Sequence, residues 1–147
     1  MIKVLLFGVF DLFHFGHLRL LKSASRLGDY LIVAVQANEE AIRSKSDDSL
    51  GPLYDVEERM EMIRALRCVD VVMPYRNVGD DIKKIEFSIF VKGPDQVHSG
   101  FISATKWCEE NGKKVVVLPR TEGISTSYIK RMVIDLQDKT RQVGKLN

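Results

Sequence analysis

The chain has 147 residues, of which 45% are hydrophobic and 29% charged, with a formal net charge of +2. That length suffices for one domain with a real core, the composition is that of a soluble globular protein, and the charge is too small to argue for a nucleic-acid surface, although a local cationic site for a phosphorylated ligand remains compatible with it. No apolar run reaches the length of a membrane span and the N-terminus has no signal-peptide pattern, so a cytoplasmic location is expected.

Ile2 to Val9 reads as a buried strand. Leu18, Leu21, Ala24 and Leu27 recur at helical spacing, which predicts a helix over 18–27 with Gly28 as its left-handed terminator. Tyr30 to Val35 is a second buried strand, so the opening is a βαβ unit with parallel strands. Between first strand and first helix lies Gly8-Val9-Phe10-Asp11-Leu12-Phe13-His14-Phe15-Gly16-His17. Ligands of open α/β sheets bind at such strand ends, and a helix N-terminus there suits phosphate. His14 and His17 are three apart. One reading makes His14 a helix cap and His17 a packing residue; the other makes both rings functional groups on one helical face.

The segment from Asn38 to Leu53 is polar. Its first part reads as a short helix and 43–52 as a loop. That loop is either a solvated connection or a lid carrying Arg43 and Lys45 to phosphates, with Lys45 the preferred cation. Asp55 and Glu58 form a capping-box pattern ahead of a helix with Met60, Ile63 and Leu66 on its apolar face. Arg59 sits in its first turn, where a cation opposes the helix dipole, so it is either solvated or held by an anion. Val69 to Met73 is a third strand closed by Pro74, 80–85 a short helix, and Phe87 to Val91 a fourth strand. The turn Lys92 to Gln96 follows, where Asp95 is a plain turn residue or an acceptor for a base amino group. His98 lies in a loop. Ser103 to Glu110 reads as a helix, with Trp107 in the core or an interface. Lys114 to Leu118 is the fifth strand. Ser125 then caps a last helix with Ile129, Met132, Val133 and Leu136 on its apolar face, and Asp138 to Asn147 reads as a fraying tail. With no repeat or linker, residues 1–147 read as a single Rossmann-like α/β domain whose five-stranded parallel sheet has the order 3-2-1-4-5. Cys68 and Cys108 match no metal spacing and read as reduced thiols. No strong nucleophile sits beside a base, which argues against a covalent intermediate and for chemistry by positioning and charge.

Two stretches carry a family resemblance. Residues 8–17 match Gly-x-Phe-Asp-Leu-x-His-x-Gly-His, and Arg120-Thr121-Glu122-Gly123-Ile124-Ser125-Thr126-Ser127 matches Arg-Thr-x-Gly-Ile-Ser-Thr-Ser/Thr. Both resemble signatures of the cytidylyltransferase branch of the HxGH nucleotidyltransferase superfamily. The resemblance covers nearly the whole chain and is strongest to members acting on glycerol 3-phosphate. It implies one nucleotidyltransferase domain that transfers CMP from CTP to a small phosphorylated acceptor by direct in-line attack, releasing pyrophosphate. The acceptor would be glycerol 3-phosphate or a related polyol phosphate, sugar phosphate or phosphonate. It further implies catalytic roles for His14, His17 and Lys45. Nucleotide binding falls to Gly8, Val9, Phe10, Asp11, Gly16, Asp95, Arg120, Gly123, Ile124, Ser125, Thr126 and Ser127, and acceptor binding to Arg59 and His98. Mg²⁺ or another divalent cation would arrive with CTP, without a direct protein ligand, and two copies would form a homodimer. Two features depart from the pattern: Val9 stands where Thr or Ser is usual, and Gly93-Pro94-Asp95-Gln96 replaces a Gly-Asp-Asp-type turn. An ATP-dependent adenylyltransferase and an inactive nucleotide-binding regulator are the competing readings.

Overall fold

Strands β1 (Lys3–Gly8) and β2 (Tyr30–Gln36) are apolar almost throughout, and their interiors are buried on both faces. That pattern requires cover from both sides, which only a helix-sandwiched parallel sheet supplies. The computed structural model describes residues 1–45 and 51–146. Among them the order of elements is β1, α1 (Phe15–Ser25), β2, α2 (Glu39–Lys45), α3 (Val56–Arg64), β3 (Val71–Tyr75), α4 (Val78–Asp81) continuing into a 3-10 turn (Ile82–Lys84), β4 (Ile89–Lys92), α5 (Ser99–Glu110), β5 (Lys114–Val117) and α6 (Thr126–Leu146). All neighbouring strands are parallel, in the order β3-β2-β1-β4-β5, as the alternating strand and helix pattern predicts.

Alternation along each strand splits the core into two layers. Val4, Leu6, Val33 and Val35 meet Leu21 and Ala24 of α1 and Met60 and Ile63 of α3. Leu5, Phe7, Ile32 and Phe90 meet Val78, Ile82, Phe101 and Ala104 on the other face. Phe7 makes edge contacts with Tyr75 at 4.8 Å and Phe90 at 5.9 Å, which fixes the ring at the end of the central strand. Cys108 is buried in this second layer, Cys68 is half-buried, and Trp107 packs on Phe87.

Several boundaries differ from the sequence reading, two of them for an evident tertiary reason. Gly28 is not a left-handed terminator; its α-carbon lies so close to β1 that a side chain would meet the Ile2 carbonyl oxygen at 2.6 Å. Pro74 does not end the third strand but lies within β3, which it can do because β3 is the sheet edge and needs ladder bonds on one side only. Residues 43–45, expected in a loop, close helix α2, while 46–50 of that loop lie outside the described residues. The segment from Asp138, expected to fray, continues α6 to Leu146.

Candidate functional site

The turn between β1 and α1 is strained and held from outside. Phe10 and Leu12 take left-handed backbone angles, with φ of 56° and 46°. Such angles cost an L-residue roughly 1–2 kcal/mol each, so other groups must impose them. The Asp11 carboxylate, 4% exposed, accepts hydrogen bonds from the Leu53 N–H at 2.8 Å and the Tyr54 N–H at 3.0 Å. Arg59 Nη1 donates to the Val9 carbonyl at 2.8 Å, and Thr126 Oγ1 donates to the Asp11 carbonyl at 2.8 Å. Lys130 Nζ lies 3.7 Å from Asp11 Oδ2 and donates to the Gly51 carbonyl at 3.2 Å. The turn is thereby tied to residues 51–54, to α3 and to α6.

The two histidines form a capping box at the start of α1. His14 Nδ1 accepts from the Gly16 N–H at 3.0 Å, and His17 Nδ1 accepts from the His14 N–H at 3.3 Å. A nitrogen that accepts carries no proton, so these bonds assign the ring hydrogen to Nε2 in both side chains. The rings stack with centroids 3.7 Å apart. Burial lowers the pKa of His14, and Arg120 lowers it further. For His17, burial, then His14, then Arg120 push the value down to about 3. At neutral pH the pair is therefore two uncharged Nε2–H donors. Gly16 is required by this packing, since a side chain there would meet the His14 ring at 2.9 Å. The capping and functional readings of the pair are thus compatible: one nitrogen of each ring caps and leaves the other as a donor.

A cavity of about 620 Å³ opens over the carboxyl ends of the strands. Gly8, Val9, Phe10, Asp11, His14, Gly16 and His17 from the first motif line it, as do Arg120, Ile124, Ser125, Thr126 and Ser127 from the second. Asp95 and His98 line it too, His98 as the residue preceding α5. Ser125 Oγ caps α6 by accepting from the Tyr128 N–H at 3.0 Å. Arg120 Nη2 pairs with Asp95 Oδ2 at 2.8 Å, joining the ends of β5 and β4; both side chains are at least half exposed, so the pair is weak and open to exchange for a ligand.

Two expected residues, Gly123 and Arg59, sit apart from this lining, and a third, Lys45, is not described there. Gly123 belongs to the turn before α6 but not to the cavity wall. Lys45 ends α2, and its side chain lies outside the described residues. Arg59, expected at the acceptor, is fully buried behind the turn, where Nε donates to the Tyr54 carbonyl and Nη1 to that of Val9. The groups that hold this first-turn cation are carbonyls of the protein itself. Conversely, Gln36, Tyr75, Gln96 and Lys130 line the cavity and were not singled out in sequence. Gln96 accepts from the Gly93 N–H at 2.9 Å and donates to the Phe7 carbonyl at 3.0 Å, stapling the β4 turn to β1. Its sequence signal was a polar residue following a strand-end Gly-Pro-Asp. Among the described residues no three His, Cys, Asp or Glu side chains converge on a metal position.

The family model for cytidylyltransferase-like proteins matches residues 5–132. The glycerol-3-phosphate cytidylyltransferase of Staphylococcus aureus (strain NCTC 8325 / PS 47) is 39% identical over 133 residues, covering 88% of this chain and 92% of that protein. The enzyme of the same name from Bacillus subtilis (strain 168) is 37% identical, covering 91% and 98%. Among solved structures, a lipopolysaccharide core biosynthesis protein from Thermoplasma volcanium GSS1 superposes with a TM-score of 0.66 at 26% identity, covering 82% of this chain and 97% of that one.

Proposed function

The chain belongs to the cytidylyltransferase-like family, and on that premise we propose that it transfers CMP from CTP to glycerol 3-phosphate or a closely related polyol or sugar phosphate, or a phosphonate, releasing pyrophosphate. The observation that carries this reading is the meeting of both motifs on one cavity: two fixed Nε2–H donors, the Arg120 guanidinium and the N-termini of α1 and α6. A phosphate oxygen of the acceptor attacks the α-phosphorus in line, the bond to pyrophosphate breaks, and negative charge grows on the oxygens around that phosphorus. His14 and His17 donate to those oxygens, and Arg120 supplies the positive charge. Loss of one such donor raises the barrier by about 3 kcal/mol. The exchangeable Asp95–Arg120 pair leaves Asp95 free to accept from the cytosine amino group once the guanidinium turns to phosphate.

Gln36, Tyr75 and His98 line the same cavity, as do Phe7 and Phe101, and this mixture of polar and aromatic groups supports an acceptor that carries hydroxyls. A divalent cation fits this site as a companion of the triphosphate, because Asp11 is engaged by two backbone N–H groups and Asp95 by Arg120. When bound, it would neutralise phosphate charge; the chain's part is to orient the phosphates. No helix among the described residues is long and apolar enough to cross a membrane, and a homodimer in the cytoplasm is the setting this reading gives the enzyme.

The test is pyrophosphate release with each of the four nucleoside triphosphates, using glycerol 3-phosphate and a panel of small phosphates and phosphonates, with the product identified by mass. CTP with one of these acceptors should give the CDP- or CMP-linked product. Turnover with ATP but not CTP would overturn the nucleotide assignment. Nucleotide binding without turnover on any acceptor would instead make the protein a binding regulator.

A further inference from the structure

Two polar side chains of the cavity wall are nearly buried yet incompletely bonded. Tyr75 is 6% exposed and Gln36 5%, and both line the cavity. A buried tyrosine hydroxyl ordinarily finds a hydrogen-bond partner, but among the described residues none reaches Tyr75 Oη. Gln36 Oε1 accepts from the Asn38 N–H at 2.9 Å. That bond fixes the amide orientation, since an N–H needs an oxygen opposite it, and leaves Nε2 without a partner among the described residues. The fully buried side-chain atom lacking a partner among these residues is Arg59 Nη2, so Tyr75 Oη and Gln36 Nε2 keep access to the cavity.

The two residues are neighbours on the sheet edge. Gln36 ends β2, Tyr75 ends β3, and they pair in register, on parallel strands about 4.8 Å apart. The Phe7 ring meets Tyr75 edge-on at 4.8 Å and holds the phenol in place. In the order β3-β2-β1-β4-β5, the two histidines follow the central strand, and Asp95, Arg120 and the second motif follow β4 and β5. Gln36 and Tyr75 close the strands on the other side of the histidines. One half of the edge therefore carries the nucleotide groups and the other half carries this pair.

Charge near the pair is already matched. The charged groups that act on the phenol are Arg59 and Asp81. Arg59 donates to the Val9 and Tyr54 carbonyls, and Asp81 Oδ2 accepts from the Arg76 and Asn77 N–H groups. Among the described residues the carboxylates of the cavity wall are Asp11 and Asp95, which face Lys130 and Arg120. Burial raises the phenol pKa above its ordinary value, so Tyr75 stays a neutral hydroxyl. An amide nitrogen that only donates, beside a phenol that donates and accepts, matches a hydroxyl: it can accept from the first and donate to the second. An ammonium group would meet the amide donor and find no uncommitted carboxylate. Resting on the cytidylyltransferase reading, we propose that Gln36 Nε2 and Tyr75 Oη together bind a hydroxyl of the acceptor, and so select a hydroxylated acceptor over an amine-bearing or purely alkyl one.

Equilibrium binding of product analogues tests this without turnover. The full chain is titrated calorimetrically with CDP-glycerol, with the CDP propyl ester that lacks both hydroxyls, and with CDP-ethanolamine. Wild type should bind CDP-glycerol about five-fold more tightly than the propyl ester, the size of one neutral hydrogen bond. Tyr75→Phe keeps the ring against Phe7 and should remove most of that advantage while binding the propyl ester like wild type. Its thermal midpoint should not fall, because the lost hydroxyl has no partner within the chain. Gln36→Glu keeps an oxygen for the Asn38 N–H and replaces the donor by a carboxylate, so the preference between CDP-glycerol and CDP-ethanolamine should move toward the amine on the order of tenfold. Equal wild-type binding of CDP-glycerol and the propyl ester would overturn the inference. So would a Tyr75→Phe protein that keeps the advantage or melts earlier, or a Gln36→Glu protein with the wild-type preference. Each of these leaves the cytidylyl reading standing, because the CDP part still binds. A wild type that binds none of the three overturns that reading, and the inference with it.

Discussion

Asp11→Asn separates two meanings of the only carboxylate in the first motif. If Asp11 serves the fold, as its bonds to Leu53 and Tyr54 say, the substitution is a stability change. Asparagine is nearly isosteric but keeps one acceptor oxygen; its amide nitrogen turns a donor toward the second N–H. One nearly buried backbone N–H loses its acceptor, which costs about 1–3 kcal/mol, and the surviving bond loses its charge assistance. The ion pair between Lys130, 19% exposed, and Asp11 is lost as well. The sum is about 3 kcal/mol, or roughly 6–12 °C in thermal midpoint for a chain of this size. Thermal unfolding followed by circular dichroism reads the first quantity. Turnover titrated with Mg²⁺ reads the second, and its half-saturation point should not move. A variant with the wild-type midpoint but a much higher Mg²⁺ requirement would make Asp11 a metal ligand and refute the bracing role.

Three further predictions follow from the same geometry. His17 protonates near pH 3 in the folded chain and near its ordinary 6.5 when unfolded. Between those values the unfolded state binds more protons, so this contribution to stability is complete above 6.5 and is lost as pH falls, by up to about 1.4 kcal/mol per unit; denaturant titrations across the interval should show His17→Asn flattening the profile. Val9→Thr should lower the KM for CTP a few-fold, about one neutral hydrogen bond, without moving the thermal midpoint, because Arg59 holds only the carbonyl of that residue; unchanged binding would remove the hydroxyl's supposed place beside the phosphates. Arg59→Leu leaves the Val9 and Tyr54 carbonyls without their donor, so stability should fall by about 3 kcal/mol and KM for both substrates should rise together. A rise confined to the acceptor, at full stability, would return Arg59 to the acceptor site.

The sheet order was legible because alternation of buried strands and amphipathic helices leaves few topologies, and both motifs were legible because they occupy strand ends. What stayed hidden depended on distance along the chain. Nothing near Asp11 announces that its carboxylate serves residues 53 and 54, and nothing near Arg59 announces a carbonyl at Val9. Arg59 looked like a misplaced surface cation because helix dipoles are local and its partners are not. Pro74 looked like a stop because the edge position of β3 is a property of the sheet. The α6 stripe was read correctly as apolar, but periodicity does not record whether its own chain buries it, and from 131 to 144 it stays exposed.

The motif residues divide into those that face the cavity and those that face each other, and the second group decides how the first can act. A flexible strand-to-helix turn would let either imidazole nitrogen point outward and let each ring take a proton in the presence of phosphate. Here the capping bonds commit both Nδ1 atoms, the 3.7 Å stack opposes double protonation, and burial opposes even single protonation. The site's positive charge therefore comes from cations other than the histidines, among them Lys130 and Arg120, the latter kept available by an exposed pairing with Asp95. On the nucleotidyl-transfer reading this division is useful. A charged histidine pair would hold CTP and pyrophosphate tightly before and after reaction, which lowers KM without raising turnover. Neutral donors at fixed positions contribute most where new negative charge appears. The strain at Phe10 and Leu12, with the bonds from Asp11, Arg59 and Thr126 that hold it, is then what keeps those two donors in place.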